Sequence, residues 1–237
     1  MSSPRSGSGR RPVRVLALLV VALSVATLVS VAAVDSAARA PPRPVCDVCA
    51  DGAVPDAAAE RGVAVAVGAS SLDLHVRADG STRRVARLGF LDGADELRNA
   101  SLRRAVVDAA LDGSEGQAES RLEGDTLVVE YSRTGVARRE SGAVVVTAFH
   151  AAGAPPLATG GEGTAVLGAD ELVVYAPAGY VPAGGAADGR VVGRTVHWNA
   201  DGAGADGIDR DARPTFVPDD ASFPEVRGAV ARLLLRL

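Results

Sequence analysis

Residues 71–85 read SLDLHVRADGSTRRV, and their period decides the fold. Leu72, Leu74 and Val76 alternate with Asp73, His75 and Arg77, so one face of an extended strand is apolar and the other polar. Ala78-Asp79-Gly80-Ser81 supplies a turn, and Arg83 to Phe90 returns as a second strand with Val85 and Leu88 expected inward. The hairpin's polar face is expected to be solvated.

Working outward, Val63 to Val67 alternates in the same way, and Pro55 to Arg61 before it reads as a short helix stopped by Gly62. Beyond the hairpin, Asp92 to Asp112 reads as one helix. Leu97, Leu102, Ala105, Val106 and Ala109 form its stripe, Asp92, Asp95 and Glu96 lie near its positive end, and Gly113 ends it. Strands are expected at 125–133, 141–150, 171–176 and 190–198, with a long Gly/Ala/Pro loop at 151–163. Strands, a helix and more strands define an α+β class: a mostly antiparallel sheet with one main packed helix. It is expected over residues 46–200, followed at 201–237 by an acidic loop and a short C-terminal amphipathic helix.

A single N-terminal transmembrane helix is expected to precede this domain. Val15 to Val34 holds no charge, and twenty helical residues span about 30 Å, the thickness of a hydrocarbon core. Arg5, Arg10, Arg11 and Arg14 lie before it and Asp35 after it, which puts a disordered basic tip, 1–14, in the cytoplasm and the rest outside. The alternative is a cleaved signal peptide. The run is longer than a usual signal core, and Pro41 and Pro42 follow the Ala38-Arg39-Ala40 box, so a retained signal anchor is preferred over a secreted product. Residues 35–45 form a Pro-rich spacer.

From residue 35 onward the chain has 21 arginines against 29 acidic residues and no lysine, a net charge of −8 that disfavours nucleic acid. Only 3% of residues are aromatic, and Trp198 is the single tryptophan, so a carbohydrate-stacking platform is not indicated.

Cys46 and Cys49 are the only cysteines. A CxxC pair serves as a redox dithiol, as half of a zinc site or as a small disulfide. No second pair completes a zinc site, and no strand precedes the pair as in thioredoxin-like dithiols. A disulfide in the membrane-proximal neck is the main reading, with a bridge between two copies as the residual one. His75, His150 and His197 are scattered, with no HExxH, and G-x-S-x-G and GK[ST] patterns are absent, so no catalytic residue, metal or cofactor is assigned. Asn99-Ala100-Ser101 makes Asn99 a candidate glycosylation acceptor. Asp201, Asp206, Asp209 and Asp211 crowd a Gly/Ala stretch without the full calcium-loop alternation. That leaves a solvated loop as the main reading and weak cation binding as the alternative.

The elements PVCDVC at 44–49, the hairpin at 71–85, Ala176-Pro177-Ala178-Gly179 and Gly193 to Trp198 together resemble a group of membrane-anchored exported proteins of halophilic archaea. The resemblance covers residues 44–198, and the lysine-free acidic composition fits it. This chain departs in its alanine content and in lacking the C-terminal span of some similar proteins. The resemblance implies topology and location and assigns no catalytic role. The expected function is a membrane-tethered extracytoplasmic binding or structural domain of the cell envelope. It is held by lipid through residues 15–34 and has an envelope protein or a second copy as partner. An exported hydrolase or a CxxC thiol–disulfide enzyme is the alternative.

Overall fold

The alternating stretch folds as β1 (Ala66–Val76), which returns as β2 (Thr82–Asp92) with Val76 opposite Thr82. The turn between them is closed by Asp79, whose Oδ1 accepts from Ser81 N at 2.9 Å and Ser81 Oγ at 2.7 Å. In the computed structural model the described residues are 44–111, 118–149, 164–165, 167–199, 208–209 and 211–235, all within the compact unit Pro42–Leu237. The expected basic tip, apolar run 15–34 and most of the spacer, with His150, Asp201 and Asp206, lie outside them.

Before the hairpin comes helix α1 (Ala53–Ala59). After it come helix α2 (Ala100–Ala110) and strands β3 (Glu119–Glu123), β4 (Thr126–Arg133), β5 (Ala137–Glu140) and β6 (Ala143–Val146). Then follow β7 (Thr164–Ala165), β8 (Glu171–Tyr175), β9 (Tyr180–Pro182), β10 (Arg190–Val192), β11 (Thr195–Asn199), β12 (Ile208–Asp209), β13 (Thr215–Pro218) and helix α3 (Pro224–Leu234). One sheet has the order β10-β11-β8-β1-β2-β4-β3, a second has β5-β6-β13-β9, and β12 pairs with β7. Among the described residues every pairing is antiparallel except β1 with β8. The protein is therefore α+β with a mostly antiparallel sheet.

Several expectations about local structure change. The single strand expected at 190–198 is a hairpin of β10 and β11 that turns at Gly193, φ 57. The helix expected at 92–112 is broken: Ala94–Arg98 is a 3-10 turn, Asn99 is extended, and α2 starts at Ala100. Asn99 Oδ1 accepts from the amides of Ser101 at 3.0 Å and Leu102 at 3.2 Å, capping α2 where a continuous helix would leave no free donors. In β2, Arg84 rather than Val85 faces inward. Residues opposed across a ladder share a face, so the pairing of Leu74 with Arg84 and of Asp73 with Val85 settles it.

The larger sheet buries its inner face, with Leu72, Leu74, Ala86, Leu88, Leu127, Val129, Leu172, Val174, Val196 and Trp198, against Val54 of α1, Val106 and Val107 of α2, and Val144, Val146 and Phe216 of the second sheet. Trp198 packs on Phe149 with ring centroids 5.5 Å apart, and its Nε1 donates to Asp188 at 3.2 Å. Gly189 leaves room for that indole, since a Cβ there would lie 2.5 Å from its ring. The other side of the second sheet carries a smaller core of Ala143, Val145, Ala183 and Val217 against Ala231 of α3. The sequence 207–220 is polar and acidic overall, yet its described residues supply β12 and β13, and Phe216 and Val217 are buried.

Candidate functional site

The outer face of the larger sheet gathers the chain's polar chemistry. The ladder register aligns three rows across the strands. One runs His197, Val173, Asp73, Val85 and Glu130; the next Thr195, Tyr175, His75, Arg83 and Ser132; the third Glu171, Ser71, Arg87, Val128 and Arg121. Val85, Val128 and Val173 are buried but belong to neither apolar core; they alternate along the rows with long side chains whose apolar stems screen them. This face was expected to be solvated. Instead its charges are half-buried and paired.

Arg83 grips Glu130 through both Nε and Nη2, the latter at 2.6 Å. This bidentate pairing holds the Glu130 carboxyl below its ordinary range. Arg87 donates to Asp73, whose charge also acts on the nearby Tyr175 hydroxyl. Burial and the nearby Asp73 charge raise the Tyr175 hydroxyl above its ordinary pKa. His75 stacks on Tyr175 with centroids 4.4 Å apart and planes at 18°. Burial lowers the His75 pKa, against Asp73, which raises it, while the Arg83 and Arg87 charges lower it further. His197 Nε2 lies 2.7 Å from Thr195 Oγ1, and its Nδ1 is 3.8 Å from Glu171 Oε1. Two of the three scattered histidines are thus brought to one face with carboxylates beside them.

The second candidate is the cysteine pair. Cys46 and Cys49 are joined by a disulfide with Cα atoms 5.2 Å apart. Cys46 is fully buried and Cys49 nearly so, Cys46 N donates to Leu167 O at 3.0 Å, and Asp47 pairs with Arg133 at 3.3 Å. Beneath it lies Arg84, itself 1% exposed, which donates from Nη1 to Val45 O at 2.8 Å and stands 5.8 Å from the Tyr131 ring centre. A buried guanidinium costs much desolvation. Here it fastens the disulfide segment to the sheet.

Asn99 is exposed and is the cap of α2 rather than a residue within a helix. Of the four aspartates in the acidic stretch, two are described: Asp209 Oδ1 accepts from Asp211 N at 2.8 Å, a local turn. Among the described residues no three His, Cys, Asp or Glu side chains are grouped to hold a metal ion, and no helix is long and apolar enough to cross a membrane. The period-two alternation places Asp73 and His75 outward but does not disclose their neighbours Tyr175, Arg83, Arg87 and Glu130, nor the inward Arg84. Outward period-two positions carrying titratable groups were the available signal.

No protein-family model, curated protein or solved structure matches the chain. The close-spaced cysteine pair and the α+β fold, both part of the resemblance, are present, and nothing ties the chain to a named haloarchaeal family.

Proposed function

We propose that the chain is a membrane-tethered extracytoplasmic domain of the cell envelope that binds or scaffolds rather than catalyses. The observation carrying this reading is the outer side of α3. Phe223, Val226, Val230, Leu233 and Leu234 are all exposed there, while the charged groups of the sheet face satisfy one another. The oxidised Cys46–Cys49 pair suits a compartment outside the cytoplasm, and the uncharged run 15–34 supplies a tether. The test is to isolate the full chain from native membranes and measure its mass and thiol state. The reading expects an intact N-terminus, resistance to alkaline carbonate extraction and two cysteines unreactive to alkylation until reduced. A mass lacking the first thirty-odd residues would make it a released protein.

A second reading has the more specific geometry behind it: an exported hydrolase using Thr195, His197 and Glu171, or a thiol–disulfide enzyme using Cys46 and Cys49. The Thr195–His197–Glu171 order is that of hydroxyl, base and orienting carboxylate. We rank it second because the Thr195 hydroxyl also donates to Val192 O at 2.8 Å, so its oxygen accepts from the imidazole rather than surrendering its proton. The sulfurs are likewise enclosed, and α1 begins only at Ala53, beyond the pair. Ester turnover lost in His197→Ala but kept in His75→Ala, or disulfide reductase activity lost in Cys49→Ser, would establish it.

A further inference from the structure

α3 has two different apolar sides. Gly228 and Ala231 face the second sheet, and a Cβ on Gly228 would lie 2.3 Å from Ala183 O, so the helix backbone rests directly on that strand connection. Arg232 Nη1 closes the contact by donating to Ala183 O at 3.0 Å. About a third of a turn round, Phe223, Val226, Val230 and Leu233 recur at spacings of three and four, with Leu234 beside them. Phe223 is 78% exposed and Val226 62%. Phe223 also sits in the left-handed region at φ 53, rare for a bulky residue, because Pro224 bars it from the right-handed helical region. The chain thus holds a large aromatic out into solvent at a local conformational cost.

We infer that this outer side of α3 lies in the lipid headgroup region of the bilayer to which the chain is tethered; the inference rests on the tethered reading above. Two observations choose lipid over a second copy, and a third allows it. The first is area: the five side chains offer on the order of 400–500 Å² of apolar surface, well short of the roughly 800 Å² per partner of a stable dimer. That is enough for shallow insertion of a helix whose polar sides stay wet.

The second is charge. Residues 224–237 contain Arg227, Arg232 and Arg236 against Glu225 alone, on a chain whose exported part carries −8. An anionic lipid surface repels the acidic body and attracts this one basic apolar end, which orients the domain. Arg227, exposed beside the stripe, is placed to meet phosphate.

The third is reach. The uncharged run ends at Val34 and the described domain begins at Pro44, so nine intervening residues span at most about 30 Å. A unit of this length has a radius of gyration of about 16 Å, so a contour of about 30 Å is long enough not to exclude any face from the bilayer. The face that stays there is then chosen by chemistry.

The test uses the full chain reconstituted into vesicles of equal phosphatidylglycerol and phosphatidylcholine, some lipids carrying an acyl-chain nitroxide. With Cys46 and Cys49 bridged, Val226→Cys or Glu225→Cys introduces the single free thiol for an environment-sensitive fluorophore. We expect the label at 226 to be quenched by lipid nitroxide about three-fold or more over the label at 225. Adding Phe223→Asp and Leu233→Asp should abolish the difference without changing the melting temperature, since both side chains are exposed. Equal quenching at the two sites overturns the inference. So does a label at 226 shielded from aqueous iodide yet unquenched by lipid, which would assign the face to a second copy. Alkaline carbonate extraction reports the tether separately: a chain released by carbonate but quenched at 226 would lose the anchor and keep the helix, whereas a retained, unquenched chain would do the reverse.

Discussion

The outer face of the larger sheet and the outer side of α3 are both exposed surfaces, and they solve exposure in opposite ways. On the sheet, long charged side chains pair with one another across strands and fold over buried valines, so the charges of its central strands are satisfied within the face. On α3, apolar side chains point outward with no partner in the described chain, although a pattern that small could have been polar at little cost to the fold. Number of charged residues alone would mark the sheet as the functional face. Satisfaction of those charges points instead to the helix.

The largest test of this contrast compares two adjacent arginines on opposite faces of β2. Arg84→Ala removes a buried side chain and leaves Val45 O unpaired, so it should cost about 3 kcal/mol and loosen the disulfide segment. Arg83→Ala breaks a half-exposed pair and should cost about 0.5 kcal/mol. Chemical denaturation of both variants measures the gap; equal losses would mean that the outer face is built into the core.

Next in size, Gly228→Ala should destabilise by about 2 kcal/mol, because the new methyl collides with the Ala183 carbonyl and lifts α3 off its sheet. Proteolysis after Arg227 or Arg232 should rise in that variant, reporting the helix's release.

The sheet face should also respond to acid. His75 has its folded-state pKa below the ordinary 6.5, so the unfolded chain takes up the proton first. Stability is then full above about 6.5 and falls as the pH drops from there toward the lowered folded value. Glu130, lowered from 4.5 by Arg83, adds a second loss as the pH falls below about 4.5. Melting temperatures across this range should show the upper decline in the parent protein and its absence in His75→Gln.

The smallest effect is expected where the exposed apolar area is greatest. Val226→Ser and Leu233→Ser should change stability by no more than about 0.5 kcal/mol, since neither side chain is packed in the isolated domain. A larger loss would show that something in the molecule covers α3.

How far the sequence disclosed these surfaces depended on range. The hairpin followed from alternation at 71–77, and the single cysteine pair at a spacing of three left one simple bridge to make. Arg84 was illegible because an arginine breaks the alternation; only the pairing of Val76 with Thr82 across the turn assigns it to the inside. The break at Asn99 hid because a 3-10 turn keeps apolar residues near helical spacing, so the stripe read straight through it. β9 and β13 span three and four residues, too few to establish a period. The sheet-face network joins Asp73 to Tyr175 and His197 to Glu171, pairs set by ladder register that no local pattern contains. The exposed side of α3 was visible as an amphipathic ending, but its division between a sheet-facing and an outward side needed the Gly228 contact.

Hydroxyl-radical footprinting of the full chain, in vesicles and again in detergent at matched concentration, tests the contrast between the two faces most directly. The account predicts that membranes protect Phe223, Val226 and Leu233 while His75, Tyr175 and His197 react alike in both states. Protection of the sheet-face residues with α3 left reactive would contradict it.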